Sequence, residues 1–430
     1  MKEKIKVCLL TLGCKVSQYE SGAIKEELIK LGYNATTNFE VADYYILNTC
    51  AVTNEAEHKS RSFITKILHK NKNAKILVCG CASEHSQEQF FKNKNVIYVG
   101  GNGYKNQISA FLDNYIRHPE LTNQDGCNFY KKMTTDYENF SSNTTSRTRA
   151  YLKIQDGCNN FCSYCLIPFV RGRSRSRSLA DIVNEAEELS KTNSEIVLTG
   201  INMSDYKIDG VLALGEVLKA LSSLKSRIRI GSLEVNVITD EFLKICSKMP
   251  NFCPQFHLSM QSGCDRILSL MNRHYTKDEY LEKVNLIRQY FPDASITTDV
   301  IVGFPTETEE DFLETIDTIN KAKFFKMHIF PYSLRTGTKA SRMAQVDGMT
   351  KKERVKRLEE IDAKLHSAYL EQMKNKEQTV LVETVGSEYA EGYTENYIKV
   401  YLSVIDNEYH IGDMVKIKIG KKFKDGVMPA

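Results

Sequence analysis

No stretch of this 430-residue chain approaches the roughly 18 consecutive apolar residues that a membrane-spanning helix requires. The opening MKEKIKVCLLTLGC has too short an apolar run for a secretory signal. It passes straight into a glycine–cysteine turn, so it is expected to belong to the fold. Charge of one sign is also lacking. With 58 Lys and Arg against 54 Asp and Glu, the net +4 names no polyanionic partner, and a nucleic-acid reading must come from local patches. The 42% hydrophobic and 26% charged residues are ordinary for a water-soluble chain, and the length suits two to three domains. A cytoplasmic protein is expected. That compartment keeps thiols reduced, so the twelve cysteines are not expected in disulfides, and those that cluster point to metal binding or catalysis.

Residues 1–118 alternate apolar runs (5–11, 44–48, 75–79) with helical patterns (17–31, 55–69), the mark of a parallel α/β sheet. Residues 119–146 are polar and read as a linker. Residues 147–348 repeat the strand–helix unit six times, with strands at 151–155, 195–199, 227–233, 255–260, 295–301 and 326–330. Six units make a partial barrel, since a full eight-unit barrel takes ~250 residues. A charged helical segment at 349–376 leads to 377–430, where alternation returns in TVLVETV, NYIKVYLSV and DMVKIKIG, the pattern of a small antiparallel β-barrel.

The sharpest motif is Cys158-Asn-Asn-Phe-Cys162-Ser-Tyr-Cys165, just past the first strand of the second domain. Three thiolates on one loop can ligate three irons of a cubane cluster and leave the fourth open. Zinc would want a fourth ligand, and no nearby His or Cys supplies one. Three further cysteines, Cys14, Cys50 and Cys81, each follow a strand of the first domain. A lone buried cysteine is usually inert. In a parallel sheet, however, all strands end at one edge, so these three loops should converge and hold a second cluster. Cys79 lies inside its strand, where alternation points it into the packing, so Cys81 is the chosen ligand. Cys8, Cys127, Cys246, Cys253 and Cys264 read as structural.

The C-x3-C-x2-C loop, with Tyr164 before its last cysteine, resembles the radical S-adenosylmethionine superfamily. That resemblance implies a partial barrel, S-adenosylmethionine on the open iron, and reductive cleavage to a 5′-deoxyadenosyl radical. Thr11-Leu-Gly-Cys-Lys-Val-Ser-Gln-Tyr-Glu-Ser, Asn48-Thr-Cys-Ala-Val-Thr, Gly80-Cys81 and Asp156-Gly-Cys through Arg171-Gly-Arg resemble the methylthiotransferases along essentially the whole chain. Two 4Fe-4S clusters are implied, on Cys14, Cys50 and Cys81 and on Cys158, Cys162 and Cys165. Ser17 and Cys81-Ala82-Ser83 depart from the family pattern without losing a ligand.

By position at strand ends, S-adenosylmethionine contacts are expected from Thr199, Gly200, Ser232, Glu234, Gln261, Val302 and Gly303, beside Tyr164 on the loop. Arg273 is expected on the methionine carboxylate. Arg171, Arg173, Arg175 and Arg177, with Arg147 and Arg149 before them, suit phosphate contact, though a solvated charge run is the plainer reading. The tail's Lys416, Lys418, Lys421, Lys422 and Lys424 lie near Tyr393, Tyr397, Tyr401 and Phe423, a mixture suited to RNA. The family resemblance implies methylthiolation of C2 of a modified adenosine at position 37 of tRNA. One S-adenosylmethionine donates a methyl to sulfur at the first cluster and a second is cleaved at the other. The Gly13-Cys-Lys-Val and Gly392-Tyr-Thr-Glu-Asn segments resemble the branch acting on N6-threonylcarbamoyladenosine. Its carboxylate would want a cation or several donors from Arg171, Arg173, His328 or Arg335. The alternatives are isopentenyladenosine, a ribosomal-protein aspartate, and a non-catalytic iron–sulfur protein that binds RNA. The expected partners are tRNA, an electron donor and a sulfur source, acting on a monomer.

Overall fold

The computed structural model describes residues 4–118, 136–139, 141, 148–405 and 407–430. Most of the expected linker, together with Cys127 and Arg147, lies outside those residues. The described residues form two compact units. The first takes those within Met1–Thr144 with Lys153–Arg177 and Ser333–Thr338. The second takes those within Thr145–Leu152, Ser178–Tyr332 and Lys339–Ala430.

Alternation builds the first unit's sheet. In Lys6–Thr11, Val7 and Leu9 pack to one side and Cys8 and Leu10 to the other, and both sides are buried. A strand buried on both faces belongs in a parallel sheet. Five parallel strands run in the order Asn34–Thr36, Lys6–Thr11, Tyr44–Thr49, Lys75–Gly80, Val96–Val99. The two outer strands, of three and four residues, are too short to show a period and lie outside the sequence expectation. Helix Asn54–Lys70 places Ile64 and Ile67 on one face, and helices Lys15–Lys30 and Ile108–Arg117 cover the other with Ile24, Leu28, Ile108 and Leu112. The chain runs outward from Lys6–Thr11 to one edge and then returns to Tyr44–Thr49 on its other side. This is the doubly wound order, and the reversal opens a crevice beyond the strands' carboxyl ends.

The six expected strands of the second repeat form. The third breaks at Gly231, giving Arg227–Ile230 and Ser232–Leu233, and the Gly231 N–H donates to the Leu198 carbonyl at 3.0 Å. One sheet orders Arg227–Ile230, Glu195–Thr199 and Arg149–Lys153. The other orders Ser232–Leu233, Gln255–Leu258, Ser295–Val302 and Lys326–Pro331, with its strands parallel. The intervening helices start where their caps dictate. Thr276 and Thr308 each accept the N–H three residues on, and Glu279 and Asp311 reach back, closing two capping boxes. Helix Gly348–Met373 then sets Tyr369, Leu370 and Met373 against a closed five-stranded barrel of Glu377–Val385, Tyr389–Tyr393, Lys399–Ser403, Gly426–Pro429 and Met414–Phe423. Closure leaves the barrel no unpaired edge.

Glu195, fully buried, fixes that barrel within the second unit. Its carboxylate receives Arg227 Nε at 2.5 Å and Arg229 Nε at 2.8 Å. The same guanidiniums donate onward to the barrel carbonyls of Thr379 and Tyr393, and of Glu395 and Thr394. Burial pushes the Glu195 carboxyl up, but Arg229 and Arg227 outweigh it and hold it down at about 2. Glu195→Gln strands two buried cations and should cost about 3–5 kcal/mol. A carboxyl depressed in the fold stabilises fully above its ordinary 4.5 and ceases to do so as pH falls toward 2. Denaturant titrations of parent and variant should therefore differ most near neutrality and converge on acidification. A constant gap down to pH 2 would contradict the assignment.

Candidate functional site

The first three cysteines meet at the switch-point crevice. Cys14 caps helix Lys15–Lys30 just past the first strand, Cys50 follows Tyr44–Thr49, and Cys81 follows Lys75–Gly80. Burial pushes the Cys50 thiol up to about 11, and the charges of Cys81 and Cys14 add to it, which marks the three as neighbours. Gly80 makes the approach possible. Its φ is +105°, and a Cβ there would fall 2.6 Å from the Thr49 carbonyl oxygen. Cys79 instead packs with Leu9, Ile46 and Leu77 on the opposite face, where burial raises its thiol to about 12. The two departures from the family pattern contribute contacts here. Ser83 Oγ donates to the Gly100 carbonyl at 2.6 Å, and Ser17 Oγ lies 3.9 Å from Cys14 Sγ.

Behind these thiols lies a buried ion network. Arg171, 1% exposed, donates through Nε to Cys81 Sγ at 3.4 Å, through Nη2 to Ser17 Oγ at 3.4 Å, and through Nη1 to Glu20 at 3.0 Å and Asp156 at 3.2 Å. Lys105 reaches Glu20 at 2.5 Å, and Lys153 bridges Glu20 and Asp156 at 3.0 and 2.6 Å. Burial opposes ionisation of Glu20, and Arg171, Lys105 and Lys153 overcome it, holding its carboxyl far below the usual range. Three buried cations thus share these two buried carboxylates. The nearby Glu138 carboxyl is pushed up to about 7 by burial. An excess of buried positive charge beside three thiols suits an anionic iron–sulfur cluster.

The Cys158 loop grows from the same network. Gln155–Asp156 pairs with Arg175–Ser176, and the Cys158 N–H donates to the Gly172 carbonyl at 3.1 Å. Gly157, at φ +72°, sits where a Cβ would strike the Arg173 carbonyl at 2.0 Å. The Asn160 and Ile167 N–H groups donate to Cys158 Sγ at 3.5 Å and Cys165 Sγ at 3.4 Å. Amide donors aimed at sulfur also fit cluster ligation. The loop's half-exposed cysteines and Tyr164 belong to the first unit.

The arginine run is corrected by burial. Arg171 is locked inside, and Arg177 is 5% exposed and donates to Tyr19 Oη and the Lys153 carbonyl, so neither is open to phosphate. Arg175 donates to the carbonyls of Arg171 and Arg173. Arg173 alone of the four is exposed, over the Phe161 ring. Arg335 is also committed, to Glu57 at 2.6 Å and to Asn54.

In the second unit, Thr199, Gly200, Gln261, Val302 and Gly303 stand at or just past carboxyl strand ends, and Ser232 opens the second half of the third strand after its break at Gly231. Gln261 and Gly303 have φ of +65°. The Gly303 N–H donates to Glu307 at 2.7 Å, and Gln261 bridges backbone to Asp299 and Ile301. Arg273 does not stand ready for a carboxylate ligand, because it is paired with Glu234 and lies against Tyr275. Sequence reasoning missed an array on the neighbouring strands. Thr297 Oγ1 meets His257 Nδ1 at 2.9 Å, His257 Nε2 meets Asp299 at 3.3 Å, and Asp299 meets His328 Nδ1 at 3.1 Å. Register alone aligns Asp299 with His328, and His257 with Thr297. On the small barrel, Lys416, Lys418, Lys421 and Lys422 are exposed. Lys424 lies over Tyr389, Tyr401 and Phe423, whereas Tyr393 and Tyr397 stack on each other beneath Arg149.

Comparison with known proteins bears on this geometry. Residues 152–319 match the Radical SAM superfamily and 6–100 match the Uncharacterized protein family UPF0004. The chain is 38% identical to Threonylcarbamoyladenosine tRNA methylthiotransferase MtaB of Bacillus subtilis (strain 168), over 96% of this chain and 94% of that one. The Aquifex aeolicus protein of that name is 36% identical over 96% and 100%. A tRNA-2-methylthio-N(6)-dimethylallyladenosine synthase of Alkaliphilus oremlandii is 35% identical over 88% and 82%. Among solved structures, the radical S-adenosylmethionine methyltransferase TsrM of Kitasatospora setae aligns at TM-score 0.56 and 14% identity over 79% of this chain and 77% of that one, a likeness of fold. Similarity that runs through both cysteine sets and on into the small barrel settles the family: this chain belongs to the radical S-adenosylmethionine tRNA methylthiotransferases, enzymes that use S-adenosylmethionine and two 4Fe-4S clusters.

Proposed function

We propose that this enzyme methylthiolates C2 of N6-threonylcarbamoyladenosine at position 37 of tRNA, and that each of its two cysteine sets holds a 4Fe-4S cluster. One observation carries the reading. The Arg171 guanidinium touches Cys81 of the first set and Asp156, two residues before Cys158 of the second. Cys14, Cys50 and Cys81 take one cluster and Cys158, Cys162 and Cys165 the other, each leaving an iron open. When bound, the first cluster would hold the sulfur to be transferred and the second would relay the electron that cleaves S-adenosylmethionine, the radical chemistry an unactivated aromatic carbon requires. The chain's own residues shape the rest. Asp156 accepts the Gly157 N–H at 2.7 Å and holds the loop's entry, and Gly80 admits Cys81 to the crevice. Thr199, Gly200, Ser232, Gln261, Val302 and Gly303 of the second unit are assigned to S-adenosylmethionine.

Four relatives at 33–38% identity carry threonylcarbamoyladenosine in their names, three of them at 36–38%, and those named for dimethylallyladenosine match at 33–35%, which favours the former substrate. With Arg171 and Arg335 neutralised inside the protein and His328 engaged by Asp299, the exposed Arg173 is left to read the threonyl carboxylate. Lys416, Lys418, Lys421 and Lys422 are assigned to tRNA phosphates. The enzyme works as a monomer in the cytoplasm, where tRNA is found, with an external electron donor and sulfur source.

Anaerobically reconstituted protein should carry about eight irons. Replacing Cys14, Cys50 and Cys81 together with alanine should halve the iron and stop product while sparing 5′-deoxyadenosine formation. Cys79→Ser should leave the iron unchanged. Full iron in the triple variant would overturn the first assignment. On matched tRNAs, mass spectrometry should find methylthio product with the threonylcarbamoyl form and little with the isopentenyl form. The reverse preference, or modification of a ribosomal protein, would overturn the substrate.

A further inference from the structure

Arg171 and Asn102 do more than fill space behind Cys81. Among the described residues, two side-chain N–H donors converge on that sulfur: Arg171 Nε at 3.4 Å and Asn102 Nδ2 at 3.5 Å. Both donors are held from behind. Asn102 Nδ2 also donates to the Val170 carbonyl at 2.7 Å, and its backbone N–H donates to Glu84 at 3.0 Å. Arg171 is pinned by Glu20, Asp156 and Ser17. Asn102 is 5% exposed and Arg171 1%, so water screens neither.

A hydrogen bond or cationic charge at a cluster's thiolate sulfur stabilises the more negative, reduced form. The effect is largest where burial keeps the local dielectric low. We propose that Arg171 and Asn102 are positioning residues that raise the reduction potential of the cluster on Cys14, Cys50 and Cys81. Their N–H groups donate to the Cys81 thiolate, and Arg171 adds the positive charge that Glu20 and Asp156 leave uncompensated. The proposal rests on the ligand assignment above. The effect is a property of the protein around the cluster and not of the cluster itself.

The substitutions can be borne by the fold. Arg171→Met leaves Lys105 and Lys153 to balance Glu20 and Asp156, so no buried carboxylate is orphaned. Asn102→Leu keeps the branched four-atom shape of the side chain and disturbs no ion pair, at the cost of the donor to the Val170 carbonyl. The test is a reductive titration followed by electron paramagnetic resonance. It is run on the full-length anaerobic protein, both fully loaded and with Cys158, Cys162 and Cys165 replaced by alanine so that the first cluster is read alone. Arg171→Met should lower the one-electron reduction equilibrium of the first cluster at least tenfold, about 59 mV. Asn102→Leu should move it the same way by less, and Arg171→Lys should fall between parent and Arg171→Met. In the fully loaded chain the second cluster should keep its potential. If Arg171→Met fails to take up iron, Asn102→Leu decides by the same titration. Variants that bind full iron with an unmoved first potential overturn the proposal. Loss of the ligand assignment looks different: iron content would then be indifferent to Cys14, Cys50 and Cys81.

Discussion

A guanidinium removed from water is the constraint on which the first unit depends. Arg171 lies six residues past Cys165, just after the one-turn helix Ile167–Val170, yet every partner named for its guanidinium is remote: Cys81, Ser17 and Glu20 come from the first unit's sheet and its loops and helices, and Asp156 from the other side of its own loop. A charge cannot stay buried unpaired, so its desolvation penalty acts as a demand on geometry. Satisfying that demand aligns the crevice beyond the sheet with the entry to the cysteine loop. Lys105 and Lys153 take part in the same settlement, and the surplus positive charge falls where thiolates gather.

The second unit repeats the device with opposite sign at its centre. There a single carboxylate, Glu195, gathers Arg227 and Arg229 from the strand beside it, and the guanidiniums carry their remaining donors to carbonyls of the small barrel. Apolar packing of Val380, Val382, Ile398 and Ile419 supplies most of the barrel's cohesion, being non-directional and proportional to area. The ion group supplies direction, since planar guanidiniums accept only a few arrangements of oxygen. The net charge of +4 therefore conceals charges spent internally, and the cationic surface open to RNA is smaller than the count of arginines suggests.

Local pattern decided much of this protein in advance. Runs such as KVCLLT and YYILNT are apolar on both faces, and that suffices for parallel strands. Strand ends carrying Cys14, Cys50 and Cys81 had to converge once the sheet was parallel, because parallel strands share an edge. The C-x3-C-x2-C spacing marked the second thiol set without any knowledge of the fold, whereas the capping boxes at Thr276 and Thr308 emerged only with the structure. The short strands Asn34–Thr36 and Val96–Val99 carried too few residues to display a period, and tertiary pairing alone makes them strands.

What the chain's order could not decide is which charges go inside. Arg171, Arg173, Arg175 and Arg177 are alike in sequence, but one is exposed, one is half-buried against backbone carbonyls and two are interior. Burial of a charge depends on partners brought from elsewhere in the chain, and periodicity is silent about them. The same holds for Asn102 and for the His257–Asp299–His328 array, each assembled across separate strands or loops by register. By itself the sequence determined the cysteine chemistry, the parallel sheets and the small β-barrel, because these follow from spacing and alternation. The tertiary structure alone decided which cations serve the thiols and which face the solvent, because that choice is made by desolvation, a property of the assembled interior.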